Sequence, residues 1–325
     1  MNGFRRSGNG KTMKRLNAAD IERAARIIDA VFLNSPQYVC ESLSDVTGCR
    51  TVLKVETNNP IRCFKGRGAD LLCERADENE LVCASAGNFG QAVAYACRKR
   101  NVKLTIFAAA SANALKIERM RALGAKVILE GEDFDAVKLA ARKFGEKKQI
   151  RSVEDGLEVE TLIGAGTIGL ELSEFGEPID FLLIPLGNGA LFNGVATYFK
   201  AKSPQTKLIA VQANGAPAML ESWREKRLIA YEKIETIADG IGVRFPIEQS
   251  LIDMEDLIDD GITVKENSIL RAMKLLHENA GLVVEPAGAV GVSAILENRE
   301  MFAGKTVATI ICGSNLTAEQ IKNWL

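Results

Sequence analysis

Short runs of β-branched and aliphatic residues alternate along the chain with longer windows whose apolar positions recur at helical spacing. Residues 51–55, 81–84, 103–107, 126–129, 181–185, 207–212 and 306–312 read as strands. Windows 88–100, 112–123, 134–144, 163–175, 191–201, 266–280 and 287–298 read as helices, with a terminal helix from Thr317. Asn17 stands as an N-cap before Ile21, Ala24, Ala25, Ile28 and Val31, which share one helical face. Strands separated by helices of this length form βαβ units, so the pattern predicts an α/β protein with parallel sheets flanked by helices. Ligands in such folds sit at the carboxyl ends of strands. The turns that follow the strands are therefore where chemistry is to be sought.

Composition narrows the choices. A length of 325 residues suggests two domains or one large one. Lys and Arg number 41 against 42 Asp and Glu, a net charge of −1, which carries no general basic footprint for nucleic acid. The one basic cluster, Arg5, Arg6, Lys11, Lys14 and Arg15, reads as a solvated, flexible tail over residues 1–15. Seven cysteines, none in a CxxC pair, fit a reducing cytoplasm better than a disulfide framework. No apolar run approaches the roughly 18 residues of a membrane span, and residues 1–15 lack a secretory apolar stretch, so a soluble, cytoplasmic chain is expected. The single histidine, His277, excludes multi-histidine metal sites and leaves any hydrolase triad one imidazole to use. Proton transfers fall to lysine, a carboxylate or a cofactor.

Three features invite misreading. Gly164, Gly166 and Gly169 match the GxGxxG dinucleotide pattern. A working fingerprint needs a strand before it and an acid about twenty positions on. Residues 157–162 include Glu158, Glu160 and Thr161, and Asn188 and Gly189 stand where the acid belongs, so a helix start packed closely on the sheet is the better reading. Gly10, Lys11 and Thr12 resemble the end of a phosphate-binding P-loop, but Arg5 replaces the required first glycine and no strand precedes it. His277 lies among polar neighbours near a helix end, where its charge complements the helix dipole.

Four turns stand out. After the first strand come Arg62, Cys63, Phe64, Lys65, Gly66 and Arg67. A lysine at a helix start, flanked by Phe and small residues, meets a positive dipole and partial burial, both of which disfavour its ammonium. A neutral amine suits Schiff-base chemistry, while the plain alternative is a solvated first-turn lysine. Ser85, Ala86, Gly87 and Asn88 make a nest of backbone N–H groups suited to a carboxylate, or an ordinary helix cap. Gly187, Asn188, Gly189 and Ala190 open the helix after strand 181–185, as a phosphate turn or simply a capped turn. Cys312, with Gly313, Ser314 and Asn315, ends the last strand, where a buried structural cysteine is the plain alternative.

Taken in order, these turns are far more specific than singly. The chain resembles the fold type II (β-family) pyridoxal-phosphate enzymes, which are tryptophan synthase β-like, and within them the serine/threonine dehydratase group. CFKGRGA (63–69) is similar to that family's SFKxRGA lysine motif, ASAGNFGQ (84–91) to its SxGNxxQ loop, and PLGNGALFNG (185–194) to its PVGGGGLxxG phosphate loop. VEPAGAVG (284–291) and CGSN (312–315) follow in the right order, and SLSDVTG (42–48) precedes them. The likeness runs from about residue 16 to the C-terminus.

The resemblance implies a role for each position. Lys65 would hold the cofactor, with Phe64 packed on the ring and Asn88 bonded to its O3′ oxygen. Ser85, Ala86, Gly87 and Asn88 would receive the substrate carboxylate. Gly187, Asn188, Gly189, Ala190 and Leu191 would bind the phosphate. Cys312 would face the pyridine nitrogen, Gly240 would touch the cofactor through its main chain, and Glu285 would sit behind the ring. A thiol, with an ordinary pKa of about 8.5, does not keep that nitrogen protonated as a carboxylate would, which favours prompt loss of a β-substituent.

The implied activity is α,β-elimination of L-threonine or L-serine, or of a related β-hydroxy amino acid, to a 2-oxo acid and ammonia. A β-replacement synthase of the cysteine-synthase kind and an amino-acid racemase are the alternatives. Ala86 stands where racemases carry a second serine able to protonate the opposite face, which places dehydratase above racemase. Phe89 replaces a common histidine, and Arg62 stands where a small residue is usual, open to solvent or to a second substrate carboxylate. Gln212 and Ala218 occupy the positions of metal-binding acids in relatives, so no divalent metal is expected, while a monovalent ion held through carbonyls stays open. The family implies a large domain of residues 16–55 and 147–325, a small mobile domain of 56–146, and a homodimer; the chain stops soon after Cys312, so the regulatory domain that biosynthetic relatives append is not expected.

Overall fold

Ten strands form two sheets among the residues described by the computed structural model, which are 15–325 except 111, 113, 132 and 133. In chain order they are β1 (Gln37–Val39), β2 (Arg50–Val55), β3 (Glu80–Ala84), β4 (Lys103–Ala108), β5 (Lys126–Leu129), β6 (Arg151–Val153), β7 (Phe181–Pro185), β8 (Lys207–Ala213), β9 (Asp260–Val264) and β10 (Thr306–Ile311). The larger sheet runs β1-β2-β10-β7-β8-β9 and the smaller β5-β4-β3-β6. Only β1 runs antiparallel to its neighbour. The central strands β2, β7, β8 and β10 are buried nearly end to end, as strands covered by helices on both faces must be.

Every strand and helix read from the pattern is present, within a few residues at each end. The first helix is shorter than the pattern suggested. It spans Ala18–Ala24 behind its Asn17 cap, and Val31 lies 41% exposed beyond it. The pattern passed over β1, β6 and β9 and the helices Glu41–Thr47, Ala218–Glu225 and Glu248–Met254, each too short to show a period. Strand β6 adds residues 151–153 to the small sheet, outside the 56–146 stretch expected of the small domain. Most of the basic N-terminal cluster and the Gly10-Lys11-Thr12 motif lie outside the described residues. Arg15 does not belong to a free tail: its guanidinium pairs with Asp253, at 3.1 Å from Nε to Oδ2, and donates to the Leu157 carbonyl at 2.8 Å.

The GxGxxG stretch is neither a dinucleotide turn nor a helix start on the sheet. Gly164, Gly166 and Gly169 lie inside the helix Val159–Ser173, which packs on the helices Lys65–Arg75 and Ala190–Lys202. A side chain at Gly164 would come within 2.5 Å of the Gly68 Cα, and one at Gly194 within 2.1 Å of the Leu162 carbonyl. These glycines let three helix backbones approach where any Cβ would push them apart.

The same helices bury an ionic network. Arg67 donates to Glu56 Oε2 at 2.8 Å and to Glu171 Oε1 at 2.5 Å, and Lys54 Nζ donates to Glu171 Oε2 at 2.6 Å. Burial alone would raise the Glu171 pKa, but the hydrogen bonds and charge of Arg67, with Lys54, outweigh it and hold it at about 2. The network ties β2, the helix that starts at Lys65 and the glycine helix into one unit, so the lysine turn stands on a rigid base. His277 is exposed in the last turn of the helix Glu266–Ala280, as its neighbours suggested.

Candidate active site

The lysine turn and the cysteine turn are joined through their main chains. Phe64 N–H donates to the Cys312 carbonyl at 3.0 Å and Ser314 N–H to the Arg62 carbonyl at 2.9 Å. Arg62 adopts a left-handed φ of 54° to let the chain turn there. Lys65 and Cys312, 247 positions apart by their numbers (312 minus 65), are thereby fixed relative to each other. Lys65 Nζ lies 4.6 Å from the centre of the Phe64 ring and 2.5 Å from Asp155 Oδ2. The lysine is therefore not the isolated amine that its neighbours in sequence suggested, because a carboxylate from the end of β6 meets it.

The asparagine turn caps the helix Asn88–Arg100. Ser85 Oγ accepts the N–H groups of Gly90 at 2.9 Å and Gly87 at 3.2 Å, so the Gly87 N–H expected in the carboxylate nest is already engaged. Asn88 Nδ2 donates to Glu285 Oε1 at 2.8 Å, and Asn88 Oδ1 accepts from Asn315 Nδ2 at 2.8 Å. Glu285 Oε2 accepts the Asn315 N–H at 3.0 Å. Burial pushes the Glu285 carboxyl above its ordinary range, against the pull of these donors. A Cβ at Gly313 would lie 2.2 Å from Glu285 Oε1, so a side chain there would displace the carboxylate.

The glycine turn opens the helix Ala190–Lys202, whose first N–H groups have no carbonyl partner within the helix. Gly189 takes a φ of 99°, and a side chain on it would strike Ser250 Oγ at 1.8 Å. Asn188 works at both ends: its Oδ1 accepts from the Ala190 N–H at 3.2 Å, and its Nδ2 donates to Asp155 Oδ2 at 2.6 Å. Ala190 itself joins the apolar core. Cys312 is buried, and burial, with Glu285 and Cys63 nearby, pushes its thiol well above the ordinary range. It presents a neutral S–H.

One cavity of about 580 Å³ collects Phe64, Lys65, Ser85, Ala86, Gly87, Asn88, Gly187, Asn188, Leu191, Gly240, Glu285 and Cys312. Of the cofactor and substrate positions that the resemblance implies, only Gly189 and Ala190 are absent from its lining. Phe89 lines it as well. Arg62 does not: it faces a separate cleft with Asn59 and Ser314, and so offers nothing to a second substrate carboxylate. Gln212 is buried and its Oε1 accepts the Leu220 N–H at 2.8 Å, while Ala218 begins a helix.

Sequence reasoning passed over Asp155, and gave Asn315 no role. Asp155 lies two residues beyond a strand end, where ligands bind, but β6 has only three residues and shows no pattern of its own. Asn315 was visible in CGSN, yet only the fold shows it meeting Asn88.

Comparison with known proteins places this geometry. The family model described as pyridoxal-phosphate dependent enzyme matches residues 29–313. An L-threonine ammonia-lyase from Thermotoga maritima is 36% identical over 306 residues, which span 93% of this chain and 76% of that protein. The structure of maize serine racemase superposes with a TM-score of 0.89 at 27% identity, covering 95% of this chain and 96% of the other. The processed form of threonine deaminase isoform 2 from Solanum lycopersicum gives 0.86 at 27% identity, covering 98% and 93%. The two-sheet architecture is that of the fold type II enzymes.

Proposed function

The chain belongs to the pyridoxal-phosphate dependent enzyme family, and from that premise we propose that it removes the β-hydroxyl of L-threonine and L-serine, releasing a 2-oxo acid and ammonia. The observation that carries this is the convergence of Lys65, the asparagine turn, the glycine turn and a neutral Cys312 on one cavity. The residues fit the cofactor. A turn that admits no side chain at Gly189, at the start of a helix, suits a phosphate, and an uncharged thiol suits an unprotonated pyridine nitrogen. Pyridoxal phosphate, when bound there, supplies the electron sink that makes the substrate Cα proton acidic.

The residues of the chain divide the remaining work. Lys65 Nζ would hold the cofactor and, once exchanged for the substrate amine, take the Cα proton. Phe64 lies beneath that nitrogen and restricts where it can move. Gly187, Asn188, Gly189, Ala190 and Leu191 would receive the phosphate, and Ser85, Ala86, Gly87 and Asn88 the substrate carboxylate. Asn88, held on both sides by Glu285 and Asn315, is preset to meet the ring oxygen. Gly240 and Glu285 would flank the ring, and Cys312 would donate to its nitrogen. Ala86 carries no hydroxyl, so no proton donor stands at that position for racemisation.

The small-sheet unit would close over the cleft and exclude water. Lys116 pairs with Asp239 at 2.7 Å, and Arg244 with Asp135, across the mouth. All seven cysteines carry free thiols, in keeping with work in the cytoplasm, and a homodimer is the assembly proposed.

The test is to incubate the holoenzyme with L-threonine, L-serine, and O-acetyl-L-serine plus sulfide. Formation of 2-oxo acid and ammonia from the hydroxy amino acids is expected. Cysteine from the acetylated substrate without oxo acid, or D-serine as the main product, would overturn the reading.

A further inference from the structure

Asp155 is a residue that the sequence motifs do not include. It stands two residues beyond β6, at the carboxyl end of that strand, and enters the same cavity as Lys65. One of its oxygens, Oδ2, accepts from Lys65 Nζ at 2.5 Å and from Asn188 Nδ2 at 2.6 Å. Its other oxygen, Oδ1, is buried without a hydrogen-bond partner. A buried acceptor left unpaired is costly, so the carboxylate is held in this orientation by its two contacts rather than by its own solvation. Those contacts come from two of the four turns: one donor is the lysine, and the other is the side chain of the glycine turn.

A lysine has a four-carbon stem with many rotamers, and a free Nζ at its end explores a wide volume. The reaction proposed above needs Nζ in one place whenever it carries a free amine. The Phe64 ring limits it from one side, but the ring is apolar and fixes no direction. Asp155 supplies the direction.

Resting on the elimination reading, we propose that Asp155 is a positioning residue for Lys65, one that holds Nζ beside the glycine turn and so sets the place where the cofactor is captured. It acts through the lysine and through no atom of the substrate. Removing the anchor leaves the amine present but misplaced, and misplacement by about 1 Å can slow a reaction by up to about 100-fold.

The experiment measures capture directly, without turnover. The full chain, stripped of cofactor, is mixed with pyridoxal phosphate, and separately with pyridoxal, and the visible band of the lysine-bound aldehyde is followed by stopped flow. Asp155→Asn is expected to slow capture of both aldehydes by about ten-fold or more. Asp155→Glu, which keeps the carboxylate, is expected to recover part of the rate. Asp155→Ser serves as a second neutral variant, with the same expectation as Asp155→Asn, should the latter fail to fold. Thermal unfolding of each stripped variant separates loss of anchoring from loss of fold.

Capture at the wild-type rate or faster in the neutral variants would overturn the proposal. So would slowing confined to the phosphorylated aldehyde, because Asp155 would then act on the phosphate turn through Asn188. A wild-type chain that captures both aldehydes yet forms no oxo acid would overturn the elimination reading, and the capture rates would still decide the role of Asp155.

Discussion

Asn88 donates its side-chain amide to Glu285 Oε1 at 2.8 Å, which joins the turn after β3 of the small sheet to the turn that precedes the helix Pro286–Glu297 of the large one. The bond makes the two halves of the cleft one polar unit. Glu285→Ala removes the acceptor for both Asn88 Nδ2 and the Asn315 N–H. Leaving these donors unpaired is expected to cost about 1–3 kcal/mol in denaturant unfolding and to weaken cofactor binding. An unchanged unfolding midpoint would show that water replaces the carboxylate without loss.

Acid should act through the Arg67 network. Glu171 is held at about 2, below an ordinary 4.5, so its contribution is fully present above about pH 4.5 and is lost as the pH falls toward 2. The contribution is on the order of 3 kcal/mol. Glu285 works in the opposite sense. Its pKa is raised by burial, so the stability it contributes is present below its ordinary value and is lost as the pH rises through the folded one. Glu171→Gln should therefore flatten the fall in stability between about pH 4.5 and 2, measured by urea unfolding at each pH. A variant as acid-sensitive as the wild type would place the effect elsewhere.

The glycine stripe makes a prediction of its own. In Gly164→Ala the new methyl would lie 2.5 Å from the Gly68 Cα, with only backbone to give way. A loss of about 1–3 kcal/mol on unfolding is expected, as for other overpacked positions. An alanine tolerated there without loss would mean that the helices slide apart freely.

Much of this was legible in the sequence, for physical reasons. Strands buried on both faces, such as β7 and β10, write themselves as continuous apolar runs, and the long amphipathic helices repeat often enough to show their period. The four turns were visible because glycine, asparagine and lysine at helix starts are informative residue types. What stayed hidden depends on tertiary contact. Strand β6 is three residues long, so Asp155 had no recognised strand to follow. Gly164, Gly166 and Gly169 have the spacing of a nucleotide turn, and only the neighbouring helices reveal them as packing contacts. Arg62 sits three residues before Lys65, yet the left-handed turn at Arg62 sends its side chain to a different cleft.

The lone histidine has no part in the site. His277 is exposed at a helix end and does not line the cavity. His277→Gln should keep kcat and KM at wild-type values and change stability by no more than about 0.5 kcal/mol. A marked fall in kcat would require a proton path that the cavity does not contain.

Lys65 is proposed to carry the cofactor in the cavity shared by the four turns. Borohydride reduction of the loaded protein fixes the cofactor to whichever amine holds it, and peptide mass mapping then locates the label. A single label is expected on the peptide that contains Lys65, and none in Lys65→Ala. A label on another lysine, or a reduced protein with no label, would contradict it.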